Sequence, residues 1–407
     1  MIEPPGLVAS EAEAPNLVPP PGNPRFPLFD ALRAVAALSV FAGHTVTGVI
    51  APSGHRTLFV WAVALADQGV VIFFLISGFL LYRPFLVARR NGRPMRVGSY
   101  AKRRFLRIVP AYWAALTIFI AAGFVSGVTT HNWWIFYGFG QIYSPNNIGS
   151  GIGAAWTLCI EVTFYAALPL FAFLAARLGA WVSMRVDVLM LVVLAAASLA
   201  FRGHYGSFVQ AEKVSTLAGT FFWFALGMGL AIASVALEGR EPAPGQGGLP
   251  RRWPVLSWGA AVLLFVAVHE FEVRALGLGL PVRYVLIHVL YGLAALFVLM
   301  PGVFGVQEGG LVRRALGLRT LAWIGLISYA FYLYHSIVIA QLDDVFGGVG
   351  LVGRYLIVAV CAFGVTVLCA AASYYALERP MMLLGRSSRT AVRGTVPPAG
   401  GSGRELL

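Results

Sequence analysis

The sequence predicts an all-α fold: a polytopic transmembrane helical bundle of about ten spans, with both termini cytoplasmic. Three observations carry that expectation. The 407 residues are 58% hydrophobic and only 12% charged, with mean hydropathy +0.77. A soluble domain carries about 25% charge, so this chain cannot cover a water-facing surface; a cytosolic enzyme and a secreted disulfide domain are excluded. The apolar residues fall into stretches close to the ~20 needed to cross a bilayer. An open sheet cannot satisfy its backbone in lipid, so the stretches are helices. Finally, the basic residues alternate between successive loops, as topology demands.

Residues 1–28 form the first element, a disordered tail. Eight prolines lie between Pro4 and Pro27, without the basic start and apolar run of a signal peptide. The membrane domain covers 29–385. Its spans fall near 31–51, 62–82, 108–128, 156–176, 186–201, 214–237, 254–268, 284–304, 321–342 and 355–377, the fifth and seventh being short. With the N-terminus inside, 23 of the 30 Lys and Arg face the cytoplasm, six face out and Arg33 lies within the first span. The outer stretch from Thr129 to Ala155 has no basic residue. Residues 386–407, rich in Gly, Ser, Pro and Arg, are a second disordered tail. No internal repeat supports an inverted-repeat transporter. Cys159, Cys361 and Cys369 show neither metal-ligand spacing nor a disulfide framework, and no metal site is expected.

Ionisable groups inside spans are costly and mark function by default. Arg33 and His44 are 11 residues apart in the first span. That places both on one helix face, about 16 Å apart along the axis. The second span carries Asp67 and Gln68 toward its outer end, and Ser77-Gly78 inside, where small residues permit close packing. Arg104 and Arg107 share a face at the head of the third span, in a run with Lys102 and Arg103. Such a guanidinium pair can clamp phosphate oxygens; topology and lipid headgroups equally attract a basic run. In the fourth span Thr157, Glu161 and Tyr165 form one polar stripe. The ninth holds Ser328, Tyr332 and His335. His44, His335 and Glu161 lie about 8–10 Å below the outer ends of their helices, at one depth. Core histidines, a snorkelling arginine and a hydrogen-bonded Glu between helices are the plain packing alternatives.

Together these residues resemble the acyltransferase-3 family of integral membrane O-acyltransferases. The resemblance rests on Arg33-x10-His44, GVVIFFLISGF, Arg104-x-x-Arg107, WTLCIEVTFY, SYAFYLYH and Glu378-Arg379-Pro380, in that order, over nearly all of Phe29 to Pro380. It implies transfer of an acyl group from acyl-coenzyme A, a co-substrate rather than a resident cofactor, to a hydroxyl. The acceptor would be a cell-surface glycan or a glycosylated small molecule of macrolide type. His44 becomes the catalytic candidate, helped by Glu161 and His335, with Arg33, Arg104 and Arg107 binding the donor. Histidine suits a general base near neutral pH. The bilayer is the other expected partner, in a multi-pass cell-membrane location; no nucleic acid is expected. A proton-coupled transporter would also bury Glu, His and Arg. A non-catalytic scaffold leaves those charges unexplained.

Overall fold

The computed structural model describes residues 26–50, 56–144, 147–178, 184–206, 211–238, 252–274, 279–304 and 311–385. Residues 1–25 and 386–407 of the two expected tails lie outside these residues; Phe26, Pro27 and Leu28, expected in the first tail, belong instead to the fold, with Phe26 buried against Phe79. Ten helices are long and apolar enough to cross a membrane, and no strand occurs among the described residues. They are α1 (Leu28–Ile50), α2 (Arg56–Arg90), α3 (Val97–Ala121), α4 (Trp156–Leu178), α5 (Arg185–Tyr205), α6 (Leu217–Ala236), α7 (Trp253–Arg274), α8 (Leu280–Val303), α9 (Arg319–Val345) and α10 (Leu351–Ser373).

Burial sorts the helices. The spanning part of α2 is 78% buried, that of α5 only 17%. Helix α2 is therefore the axis of the bundle; α1 and α6 pack along it, and α9 packs on α1. Small residues permit these contacts, because without a hydrophobic drive between helices close approach supplies the attraction. Gly43 of α1 lies against Ala62 and Ala66 of α2; a Cβ there would stand 2.7 Å from the Ala66 Cβ. Gly325 of α9 lies directly on the Asp30 backbone of α1.

One element differs from expectation. Helix α3 begins at Val97 and ends at Ala121, not 108–128. The arginine-rich stretch lowers local hydropathy, yet Arg and Lys are good helix formers, so the helix extends through it. Between α3 and α4 the described residues form a short helix, Trp133–Tyr137, and 3₁₀ turns at Gln141–Tyr143 and Gly153–Ala155. Phe136, Ile142 and Ile152 are buried beneath it, and Tyr112 Oη donates to the Phe136 carbonyl at 3.1 Å. This segment covers the end of the bundle opposite the arginines.

Several charges near the helix ends are paired. Arg89 meets Asp187 at 2.5 Å, and Tyr82 donates to the same carboxylate. Arg83 meets Glu238 at 3.1 Å and Ser234 at 2.9 Å. These are structural ties between α2, α5 and α6.

Candidate active site

A cavity of about 530 Å³ runs up the bundle between α1, α2, α3, α4, α9 and the end of α10. Its wall carries Arg33, Arg104 and Arg107 at one end and Ala154, Ala155 and Thr157 at the other. Helix geometry explains the sorting of the basic run. Arg104 and Arg107, three apart, turn inward onto the cavity, while Lys102 and Arg103 are exposed. The Arg33 guanidinium is held by Asp30 at 3.2 Å. Arg104 lies 5.9 Å over the Tyr165 ring, with Nε buried and unpartnered. Among the described residues no acceptor takes a hydrogen bond from Arg104 or Arg107. Leaving buried donors unmade is costly.

Beyond Ser373 the chain makes one π-helical turn, Tyr374–Glu378, before the short helix Arg379–Leu384. Such bulges re-aim side chains. Here Glu378 enters the cavity wall with Oε1 unpartnered, facing Arg107.

Glu161 sits in the middle of the wall. Its Oε1 accepts from Ser77 Oγ and from Tyr165 Oη, each at 2.5 Å. Through Tyr165 it is linked to the Arg104 end. The group hydrogen-bonded to His44 is therefore His335, not Glu161: His44 Nδ1 and His335 Nε2 are 2.7 Å apart, with rings nearly parallel. His335 Nδ1 lies 2.6 Å from the Tyr332 carbonyl. A carbonyl only accepts, so this nitrogen carries the proton. Neutral His335 then offers a lone pair at Nε2, and His44 Nδ1 must donate to it. The bare nitrogen of His44 is consequently Nε2. This relay fixes the tautomer of a prospective base.

The imidazoles stand beyond the cavity rather than in its wall. Tyr332 joins the two regions: its ring lines the cavity, its carbonyl holds His335, and its hydroxyl meets Thr157 Oγ1 at 2.7 Å and donates to the Ala154 carbonyl at 3.2 Å. Arg33 and His44 share a face of α1 as the spacing required, but they serve opposite ends of the space. Sequence reasoning treated Ser77 as a packing residue; Gly78 alone does that, against the Phe224 backbone, while Ser77 bonds to Glu161. Asp30 was also missed, although its i, i+3 spacing to Arg33 was the signal.

The family model described as an acyltransferase domain matches residues 27–375. Nodulation protein 10 of Rhizobium leguminosarum is 28% identical over 398 residues, 90% of this chain and 96% of that protein. The putative peptidoglycan O-acetyltransferase YrhL of Bacillus subtilis is 26% identical over 88% of this chain, which spans only 55% of that protein's length. Peptidoglycan O-acetyltransferase OatA of Listeria monocytogenes is 25% identical over 160 residues, 36% of this chain and 24% of that protein. No solved structure matches the chain. A bundle of ten spans, matched from its first helix into the turn after its last by one family, identifies the chain as a multi-pass membrane O-acyltransferase of the acyltransferase-3 family.

Proposed function

We propose that the protein transfers an acyl group from acyl-coenzyme A to a hydroxyl of a sugar-containing acceptor, with His44 as general base. The observation that carries this reading is the relay from the Tyr332 carbonyl through His335 to His44, which leaves His44 Nε2 unprotonated. Arg104, Arg107 and Arg33 bind the donor phosphates, since planar guanidinium groups match phosphate oxygens. The arginine end faces the cytoplasm, where 23 of the 30 basic residues would then lie. The pantetheine arm extends up the cavity toward Tyr332 and the histidines, bridging about 16 Å of α1.

In the transfer step His44 Nε2 takes the acceptor's hydroxyl proton as its oxygen bonds to the thioester carbonyl carbon. The carbon–sulfur bond breaks, and the departing thiolate receives that proton from the imidazolium. Ester and free coenzyme A are the products. His335 accepts from His44 Nδ1–H throughout and stabilises the transient cation. Glu161, held by Ser77 and Tyr165, shapes the passage between the two ends. The two relatives named as peptidoglycan O-acetyltransferases favour a cell-surface glycan over a macrolide-type metabolite as acceptor.

Purified protein supplied with acetyl-coenzyme A and a peptidoglycan-type tetrasaccharide should release thiol in proportion to ester formed. His44→Ala should lower that rate by at least about 10²-fold with thermal unfolding intact. His335→Ala should lose less, because the base remains and only its orientation is lost. Near-native turnover of His44→Ala would sink the assignment.

A further inference from the structure

Helix α2 presents a stripe to the cavity: Val70, Phe74, Ser77 and Leu81 line it at alternating spacings of three and four. The same spacing puts Asp67 one turn further on, past the end of the cavity. Its level is fixed independently. Gly43 lies against Ala66, so the residues that follow, His44 and Asp67, stand at nearly the same height on adjacent helices. Tyr332, which borders both the cavity and the histidine pair, lies within electrostatic reach of Asp67. So does Arg202 of α5.

Asp67 is unlike the other acids near the ends of α2 and α5. Among the described residues it has no hydrogen bond and no ion pair, and it retains some accessible surface although it lies inside the bundle. Arg202 is not in salt-bridge contact with it. The Arg202 guanidinium rests 5.8 Å over the Trp223 ring, donates one bond to the Gly219 carbonyl at 3.4 Å, and leaves Nε buried without an acceptor. Two neighbours repeat the pattern. Gln68 is buried with both amide atoms unpartnered. His288, stacked on Trp223, is buried with both ring nitrogens unpartnered. Buried polar groups are rarely left without partners, and a cluster of them marks a missing one. That complement must both donate to a carboxylate and accept from a guanidinium. A compound bearing several hydroxyls does both.

We infer that Asp67 and Arg202 form the subsite that holds the hydroxyl-rich, sugar-type acceptor beside His44, at the end of the cavity opposite the arginines. The inference rests on the acyl-transfer reading and adds the acceptor's address to it. The acceptor's other hydroxyls bind Asp67 and Arg202, and the reacting one is presented to His44 Nε2. Donor and acceptor thus approach from opposite ends of the bundle.

The test measures KM for each substrate separately in Asp67→Asn and Arg202→Gln, with acetyl-coenzyme A as donor and the peptidoglycan-type tetrasaccharide as acceptor. Each variant should raise acceptor KM about tenfold or more, while donor KM stays within twofold. Neutralising an unpaired intramembrane carboxylate removes a desolvation cost, so Asp67→Asn should fold; thermal unfolding checks this in both variants. Acceptor KM within twofold of wild type in a folded variant would overturn the subsite. Saturable binding of the tetrasaccharide without donor gives a second readout, expected in wild type and lost in both variants. If wild type releases no thiol yet shows that pattern, the transfer reading fails and the subsite stands. If wild type binds no tetrasaccharide, the subsite fails whatever the donor does.

Discussion

Arg104 and Arg107 stand in a basic run that charge alone does not sort. The helix sorts it: Lys102 and Arg103 are exposed, and the other two line the cavity without hydrogen-bond acceptors among the described residues. Removing one charge-assisted bond costs roughly 1.5–3 kcal/mol, about 10–150-fold. Arg104→Ala or Arg107→Ala should therefore raise KM for acyl-coenzyme A by that order, with acceptor KM little changed. Lys at either position should rescue only in part, lacking the planar fork. Lys102→Ala and Arg103→Ala should leave donor KM near wild type. Steady-state kinetics with varied donor decide the matter; equal effects at all four positions would mean a diffuse field rather than a clamp. That His44, Glu161 and His335 stand within spans was legible, and it singled them out because ionisable groups there are rare. Their pairing was not. His44 and His335 are 291 residues apart, so depth below the helix ends places them at one level but cannot show that they touch. Nor could depth show that Glu161, at a similar level, bonds toward the arginines through Tyr165.

Elements were legible where apolar length defines them and illegible where local chemistry does. The core of every span falls within its expected stretch, but the hydropathy window slid α3 outward past its arginines. Likewise, nothing in the composition of Tyr374–Glu378 announces a π turn, yet that turn brings Glu378 into the cavity wall. Helix contacts follow the small residues, and one of them bears on the site. Gly325 of α9 lies on the backbone of Asp30, the residue that holds Arg33. A methyl group there meets main chain, which cannot rotate away. Gly325→Ala should thus destabilise the protein by about 1–3 kcal/mol, as overpacking does. It should also disturb Arg33 by shifting the first turn of α1. Gly364 of α10 is the control: a Cβ meets nothing within 4 Å. Gly364→Ala should be neutral or stabilise by about 0.5–1 kcal/mol, the helical advantage of Ala over Gly. Thermal unfolding in one detergent compares them; equal stability of the two variants would show that α1 and α9 can separate without cost.

At the scale of the molecule, polarity along the membrane normal links fold to chemistry. The cavity has a cationic end and a neutral end, with the histidine pair beyond the latter. The sequence carries a matching asymmetry: the expected topology puts 23 of the 30 Lys and Arg on one side, and the stretch from Thr129 to Ala155 has neither. The ten spans were legible because the bilayer sets their length, and the alternation of charge corroborates their number. Which end faces the cytoplasm is an electrostatic inference, and it governs the donor assignment because acyl-coenzyme A is a cytoplasmic metabolite. It can be tested with single cysteines. Asn91, in the turn after α2, is exposed at the arginine end, and Thr130, after α3, is exposed at the other. In a background lacking Cys159, Cys361 and Cys369, Thr130→Cys should react with a membrane-impermeant maleimide on intact cells. Asn91→Cys should react only after permeabilisation. The opposite pattern would turn the arginines outward, away from the donor. It would defeat the phosphate-clamp role of Arg104 and Arg107 while leaving the tautomer argument for His44 intact, since that argument depends on hydrogen bonds and not on sidedness.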